Sequence, residues 1–450
     1  PHHPSAPMFT ISGMMQFVPF FLGEEPVPYD PPRAASVQKC VRLEGKHQDL
    51  DAIGRSPRHL SFFEMLGNFS FGDYFKAEAI PWAWEFVTEE LGLDGDRIWV
   101  TVHTTDDDAH DIWADAVGVP VERIQRLDED NFWEMGEVGP CGPCSELFFD
   151  FGPGLGPDGG PANPEAEHRF VEFWNLVFTQ YYRGADRSLT DLPSKNVDTG
   201  AGFERMLGVL QGNHSLYAAD SVSRMVDAAE RLTGTRLGGS DEGDVALRLL
   251  ADHARTMTFL IADGVVPSNG DRGYVLRRII RRAVRFAYLL GVEKPITAPL
   301  AAEVATVMGD AYPEVRASAD LIADVLDREE GQFRRTLRNG LGILEAELAG
   351  LGEGEELAGR VAFTLHDTYG FPYEVTAEIA EDRGHPVDRA GFDEDMAEQK
   401  RQSKEAGRRN KGVEMGGDAQ ATFQGLLADR GTTEFTGRDE SVTEATVLAV

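Results

Sequence analysis

The stretch 171–182, VEFWNLVFTQYY, constrains this chain more than any other. Its apolar and aromatic residues fall on both parities, with Phe173 and Val177 on one and Trp174, Leu176 and Phe178 on the other. Strand side chains alternate between faces, so such a strand needs cover on both sides. It is expected at the centre of a sheet. Residues 97–103 alternate Ile98, Val100 and Val102 against Arg97, Trp99 and Thr101, and 145–150 is a further strand-like run. Helical periods at 77–91 and 106–117 interrupt these strands. The mixture predicts an α+β fold on a largely antiparallel sheet with flanking helices.

From about residue 220 the pattern turns helical, at 218–233, 244–263, 273–290, 317–351 and 392–411. The long segment 317–351 offers Leu321, Val325, Phe333, Leu337, Leu341, Leu344 and Leu348 as its buried stripe. Residues 412–433 are glycine-rich and predict a linker. The expected domains are a sheet domain over 1–220, a helical domain over 221–411, and a linker with the start of another domain over 412–450. The chain opens without Met, on Pro1-His2-His3-Pro4, and closes on the strand-like 446–450, so a fragment is expected.

With 42% hydrophobic and 26% charged residues, wholesale disorder is excluded. No run of 18 apolar residues occurs, so no membrane span is expected. Three cysteines cannot frame a disulfide scaffold, which predicts a reducing, cytoplasmic setting. The net charge of −33 repels nucleic acid unless basic residues are concentrated locally. They are, in 272–285. On a helix, Arg277, Arg278, Arg281, Arg282 and Arg285 share one face, while Leu276, Ile279, Ile280 and Ala283 fill the other. Such a row either pairs with acidic neighbours or tracks the phosphates of a nucleic acid.

Three further stretches carry chemistry. In 197–205, VDTGAGFER, small residues would let a ligand approach the backbone, with Asp198 and Arg205 at the two ends of a glycine turn and a helix from about Phe203. A plain strand-to-helix turn has the same look. Residues 38–42 and 59–71 predict strand, polar loop, strand, with Cys40 and Arg42 on one face and His59, Phe63 and Met65 on one face. An arginine, an aromatic and a basic loop suit a nucleotide, although a hairpin with core aromatics fits as well. Gly139-Pro-Cys-Gly-Pro-Cys144 has a C-x-x-C spacing, but no second pair supplies the remaining zinc ligands, so a rigid Pro/Gly turn beside a site is expected.

Taken in order, these stretches resemble the class II aminoacyl-tRNA synthetases, specifically the alanine-specific branch. The resemblance runs through 12–17, 38–42, Gly45-Lys46-His47, 62–76, Asn131-Phe132-Trp133, 139–144, Trp174-Asn175, 198–205, Pro267-Ser268-Asn269, 272–285 and 367–372. It covers nearly the whole chain and implies a class II antiparallel sheet followed by an all-helical tRNA-recognition domain. It also implies ATP and Mg²⁺, activation of L-alanine to alanyl-adenylate, and transfer to the 3′ end of alanine tRNA. By resemblance, Arg42 holds the α-phosphate, Lys46 lies in the loop reaching ATP and the acceptor end, and Arg205 clamps ATP. Asp198 binds the alanine ammonium. Trp133, Asn175, Val177 and Gly200 shape the amino-acid pocket, and Met65 lies beside the adenylate. His59 joins the ATP site, and Phe63 is the expected adenine platform by parity.

For tRNA, the resemblance implies the arginine row together with Asn269 and Glu374 at the acceptor-stem wobble pair, where the family often has Asp in place of Glu374. The resemblance also places zinc in an editing domain whose ligands this chain lacks, so no editing is expected. Self-association is expected only of a full-length protein. Two rival readings predict other residues: a non-catalytic tRNA-binding relative should have lost Arg42, Asp198 or Arg205, and a ligase for another carrier should lack the arginine row. All of these residues are present.

Overall fold

The computed structural model describes residues 8–43, 49–136, 138–369 and 371–411, together with 431 and 446. They pack into two compact units, 1–334 and 335–450. The expected linker at 412–433 and terminal strand at 446–450 lie outside the described residues, apart from those two positions.

Among the described residues, eight strands form one sheet in the first unit. They are β1 (Arg33–Val41), β2 (Phe62–Phe71), β3 (Ile98–His103), β4 (Ile124–Leu127), β5 (Phe132–Glu134), β6 (Gly139–Asp150), β7 (Phe170–Arg183) and β8 (Leu189–Gly202). Their order is β1-β2-β8-β7-β6-β3-β4, with β5 paired to β6. The pairs are antiparallel except β3 with β4. The long aromatic strand β7 is therefore central, as its two apolar parities require.

The helices are α1 (Val18–Phe21), α2 (Asp49–Ala52), α3 (Lys76–Glu85), α4 (Asp107–Asp111), α5 (Phe203–Leu210), α6 (Asp220–Thr233), α7 (Asp241–Ala262), α8 (Asp271–Leu289), α9 (Thr297–Met308), α10 (Pro313–Ala317), α11 (Ala319–Leu348), α12 (Gly359–Tyr369), α13 (Tyr373–Asp382) and α14 (Arg389–Lys411). No helix among them is long and apolar enough to cross a membrane.

One face of the sheet is a hydrophobic layer. Trp174, Leu176 and Phe178 of β7, Val197 and Ala201 of β8, and Leu147 of β6 pack there with Ile80, Ala83 and Val87. This burial drives the layer together. On the other face, Phe69 and Phe71 are covered by Met14, Phe17, Val18 and Phe21 of the N-terminal turns. The rest of that face is polar.

Four expectations change. Residues 197–202 are not a turn but the end of strand β8, and the helix begins at Phe203. Asn196 and two glycines are poor strand formers, but β2 and β7 flank 196–202 on both sides and supply its ladder. The C-x-x-C segment is likewise strand β6, with a register shift between Cys141 and Cys144. In α11, Leu321 is 55% exposed, while Ile322, Leu326, Phe333, Leu337, Leu344 and Leu348 are buried, so the stripe starts one residue later. Finally, the arginine row is not one open face. Arg282 and Arg285 are buried.

Candidate active site

Residues opposed across an antiparallel ladder point to the same side. Phe69 opposes Asp198, Asp198 opposes Val177, and Val177 opposes Cys144. One step along, Gly200 opposes Asn175 and Asn175 opposes Glu146. By alternation Phe63 and Met65 of β2 share this polar face. Between Leu147 and Phe148 the register shifts by one, so that Glu172 opposes Phe148. Phe173 then turns into the hydrophobic layer while Glu172 stays on the polar face.

Asp198 is 6% exposed and has no side-chain hydrogen-bond partner among the described residues. Burial alone pushes its carboxyl up to about 7. Ionising it there costs about 4 kcal/mol relative to water, the signature of an acid awaiting a cation. Beside it, Asn175 donates through Nδ2 to Glu146 Oε1 at 2.8 Å, while its buried Oδ1 has no partner. Val177 is buried next to them. A Cβ on Gly200 would lie 2.8 Å from Met65 Sδ, so glycine keeps this space open. Trp133 of β5 packs into the aromatic cluster over Phe69.

A second, cationic group lies on the same face. Arg42 stacks its guanidinium 5.2 Å from the Phe63 ring centre and donates to the Ile11 carbonyl at 2.9 Å. Arg205 of α5 pairs with Glu172 at 2.7 Å and donates to the Arg58 carbonyl at 3.3 Å. Burial raises the Glu172 carboxyl, but Arg205, Arg58 and Arg42 outweigh it and hold Glu172 below the ordinary value. Glu146 behaves oppositely: burial and the neighbouring Glu172 charge push it well above the ordinary carboxylate value. Burial and the Arg205 charge lower Arg58 to about 10.

Arg58 is the residue that sequence reasoning missed. It sits in an aperiodic stretch, one position before the expected His59. His59 itself precedes β2, so strand parity does not reach it. Its imidazole bonds Ser56 Oγ at 2.7 Å. Lys46 lies outside the described residues. The Phe63 ring, the expected adenine platform, is covered on one side by Arg42.

The expected tRNA residues are dispersed. Arg277 pairs with Glu329 and with exposed Asn269. Arg281 pairs with the same Glu329 at 2.8 Å. Arg278 has no ion-pair or hydrogen-bond partner among the described residues and remains half-buried. Glu374 lies on the backbone of α13 in the second unit. The acid-pairing reading of the row therefore holds for Arg277 and Arg281.

The face thus carries a buried acid at Asp198 and a group of arginines at Arg42, Arg58 and Arg205. Comparison with known proteins agrees. The family described as tRNA synthetases class II (A) matches residues 1–450. A protein of Magnetococcus marinus named alanine–tRNA ligase is 48% identical over 447 residues, covering 98% of this chain and 50% of its own. Proteins of the same name from Chromohalobacter salexigens and Sphingopyxis alaskensis are 47% and 48% identical, covering 98% and 100% of this chain and 49% and 51% of their own. The chain spans about half the length of the curated relatives it matches. Among solved structures, apo S. aureus histidyl-tRNA synthetase aligns with 45% of this chain and 52% of its own, at 13% identity and a TM-score of 0.28, too low to carry an argument. The sheet, its polar face and the full-length family match together establish that this chain belongs to the class II (A) tRNA synthetases.

Proposed function

We propose that this chain activates L-alanine with ATP to alanyl-adenylate and passes the alanyl group to the 3′ end of alanine tRNA. The observation that carries the reading is Asp198, a buried carboxylate without a hydrogen-bond or ion-pair partner among the described residues, placed on the same sheet face as Arg42 and Arg205. An ammonium at Asp198, with Asn175 Oδ1 as second acceptor, would aim the substrate carboxylate toward the arginines. Val177, Gly200 and Trp133 bound a space suited to a methyl side chain.

Attack of a carboxylate on a phosphoryl centre needs alignment and charge neutralisation rather than proton transfer. Arg42 and Arg205 supply the positive charge, and Arg58 adds a third guanidinium. Mg²⁺ arriving with ATP needs one or two carboxylates besides the phosphates, and Glu172, held below the ordinary carboxylate value by the surrounding arginines, would supply one. When bound, it would neutralise phosphate charge. Burial and free thiols at Cys40, Cys141 and Cys144 suit a reducing, cytoplasmic setting. For tRNA, half-buried Arg278, which has no ion-pair partner among the described residues, and exposed Asn269 are the proposed contacts, with Glu374 as the acidic acceptor-stem reader.

The test is alanine-dependent ATP–pyrophosphate exchange. A chain that binds alanine tRNA but gives no exchange is a binding module. A pH effect should accompany activity. Alanine keeps its ammonium protonated near neutrality, whereas empty Asp198 is protonated below about pH 7. Binding must then expel that proton, so KM for alanine should rise about tenfold per pH unit below 7. A flat profile from pH 5.5 to 7.5 would remove Asp198 from the ammonium site. For tRNA, Arg278→Ala should lower the salt slope of binding by about 0.7–0.9, one phosphate contact, as read by filter binding from low to high salt.

A further inference from the structure

The segment between β1 and β2 is pressed against α7 and α8 from Leu50 onward. Ile53 is fully buried with Ala246, Leu249 and Phe286. Gly54 adopts φ +83°, and a Cβ there would come within 2.6 Å of the Val245 carbonyl, so the segment touches the α7 backbone. Two side chains tie the segment down. The buried Arg282 guanidinium donates to the Leu50 carbonyl. The Tyr217 hydroxyl accepts from Gly54 N at 3.1 Å and donates to the His59 carbonyl at 2.9 Å. Between these ties lies Arg58, whose carbonyl receives Arg205 and whose guanidinium pairs with Glu167 within reach of the Glu172 charge.

The geometry points to Arg282 as a positioning residue for the nucleotide site rather than a contact to tRNA phosphates. Through the Leu50 carbonyl it sets segment 50–60, and with Tyr217 it fixes where Arg58 and its carbonyl meet Arg205. This rests on the proposed reading of the polar face as the ATP site. Arg278, one turn earlier on the same helix, has no such tie, so adjacent members of one basic row serve different ends. A charged donor on a buried carbonyl is a strong hydrogen bond, and its loss leaves that carbonyl unsatisfied.

The experiment compares wild type, Arg282→Ala, Arg282→Lys and Tyr217→Phe in the 450-residue chain. ATP affinity is read by titration calorimetry, and KM values for ATP and alanine by pyrophosphate exchange. Arg282→Ala should weaken ATP binding and raise KM for ATP about tenfold, with KM for alanine within about twofold and the salt slope for tRNA unchanged. Arg282→Lys, which can still donate to one carbonyl, should recover most of the loss. Tyr217→Phe should weaken ATP binding about threefold by the same route, and it keeps the test open if Arg282→Ala does not fold. The inference is overturned if Arg282→Ala binds ATP normally and lowers the tRNA salt slope instead. It is also overturned if both KM values rise and thermal stability falls together without lysine rescue, or if Tyr217→Phe leaves ATP binding unchanged. Absence of exchange in the wild type, with ATP binding still sensitive to these variants, would sink the proposed reaction but not this inference.

Discussion

Asp198→Asn should lower kcat/KM for alanine activation at least about 150-fold at pH 7.5, with most of the loss in KM for alanine. Removing one partner of a buried charge pair costs about 3 kcal/mol or more. The amide preserves shape and volume in the ladder opposite Val177 and Phe69, so the sheet should be untouched. Stability should move the other way. The folded-state value of about 7 lies above that of an unfolded aspartate. The native state's advantage from holding that proton is therefore complete below about pH 4 and is lost as pH rises to about 7. Above pH 7 the empty wild type carries a buried, unpartnered charge that Asn does not. Asn should thus raise the thermal midpoint at pH 8 and change it little at pH 4. Exchange kinetics within threefold of wild type would remove Asp198 from the site.

Arg205→Ala should reduce adenylate formation about 10³-fold, equivalent to about 4 kcal/mol of transition-state stabilisation. Two losses coincide. The guanidinium no longer meets developing phosphate charge, and the Arg58 carbonyl loses its 3.3 Å donor. Glu172 also loses the largest influence holding it ionised. Its carboxyl should then climb toward that of Glu146, and the residual activity should shift its acid limb to higher pH. Single-turnover adenylate formation as a function of pH separates these effects. A loss confined to alanine KM would place Arg205 outside the phosphate end.

What could be read from residues alone follows from periodicity. The two apolar parities of 171–182 place β7 at the centre, and the helical spacing of 273–290 marks α8. Period two puts Cys40 with Arg42 and Phe63 with Met65, but it is the pairing of Cys40 opposite Phe63 that makes the two faces one and brings Arg42 to 5.2 Å from the Phe63 ring centre. Periodicity fails where a segment has no pattern of its own. The end of strand β8 contains Asn196, Gly200 and Gly202, and it is a strand because β2 and β7 offer hydrogen bonds on both sides. Arg58 has no periodic neighbours at all, and it enters the site because Arg205 binds its carbonyl.

The basic row of α8 shows the division most plainly. Its sequence alone determined that five arginines lie on one side of a helix, because 3.6 residues per turn places them there. It could not distinguish Arg278 from Arg282, which stand one turn apart on that side. Only the tertiary structure decided that Arg281 meets Glu329, that Arg282 is buried on the Leu50 carbonyl, and that Arg278 has no ion-pair partner among the described residues. The reason is that a helical period sets the direction of a side chain, whereas its burial and charge partners are set by whatever distant segment packs against it.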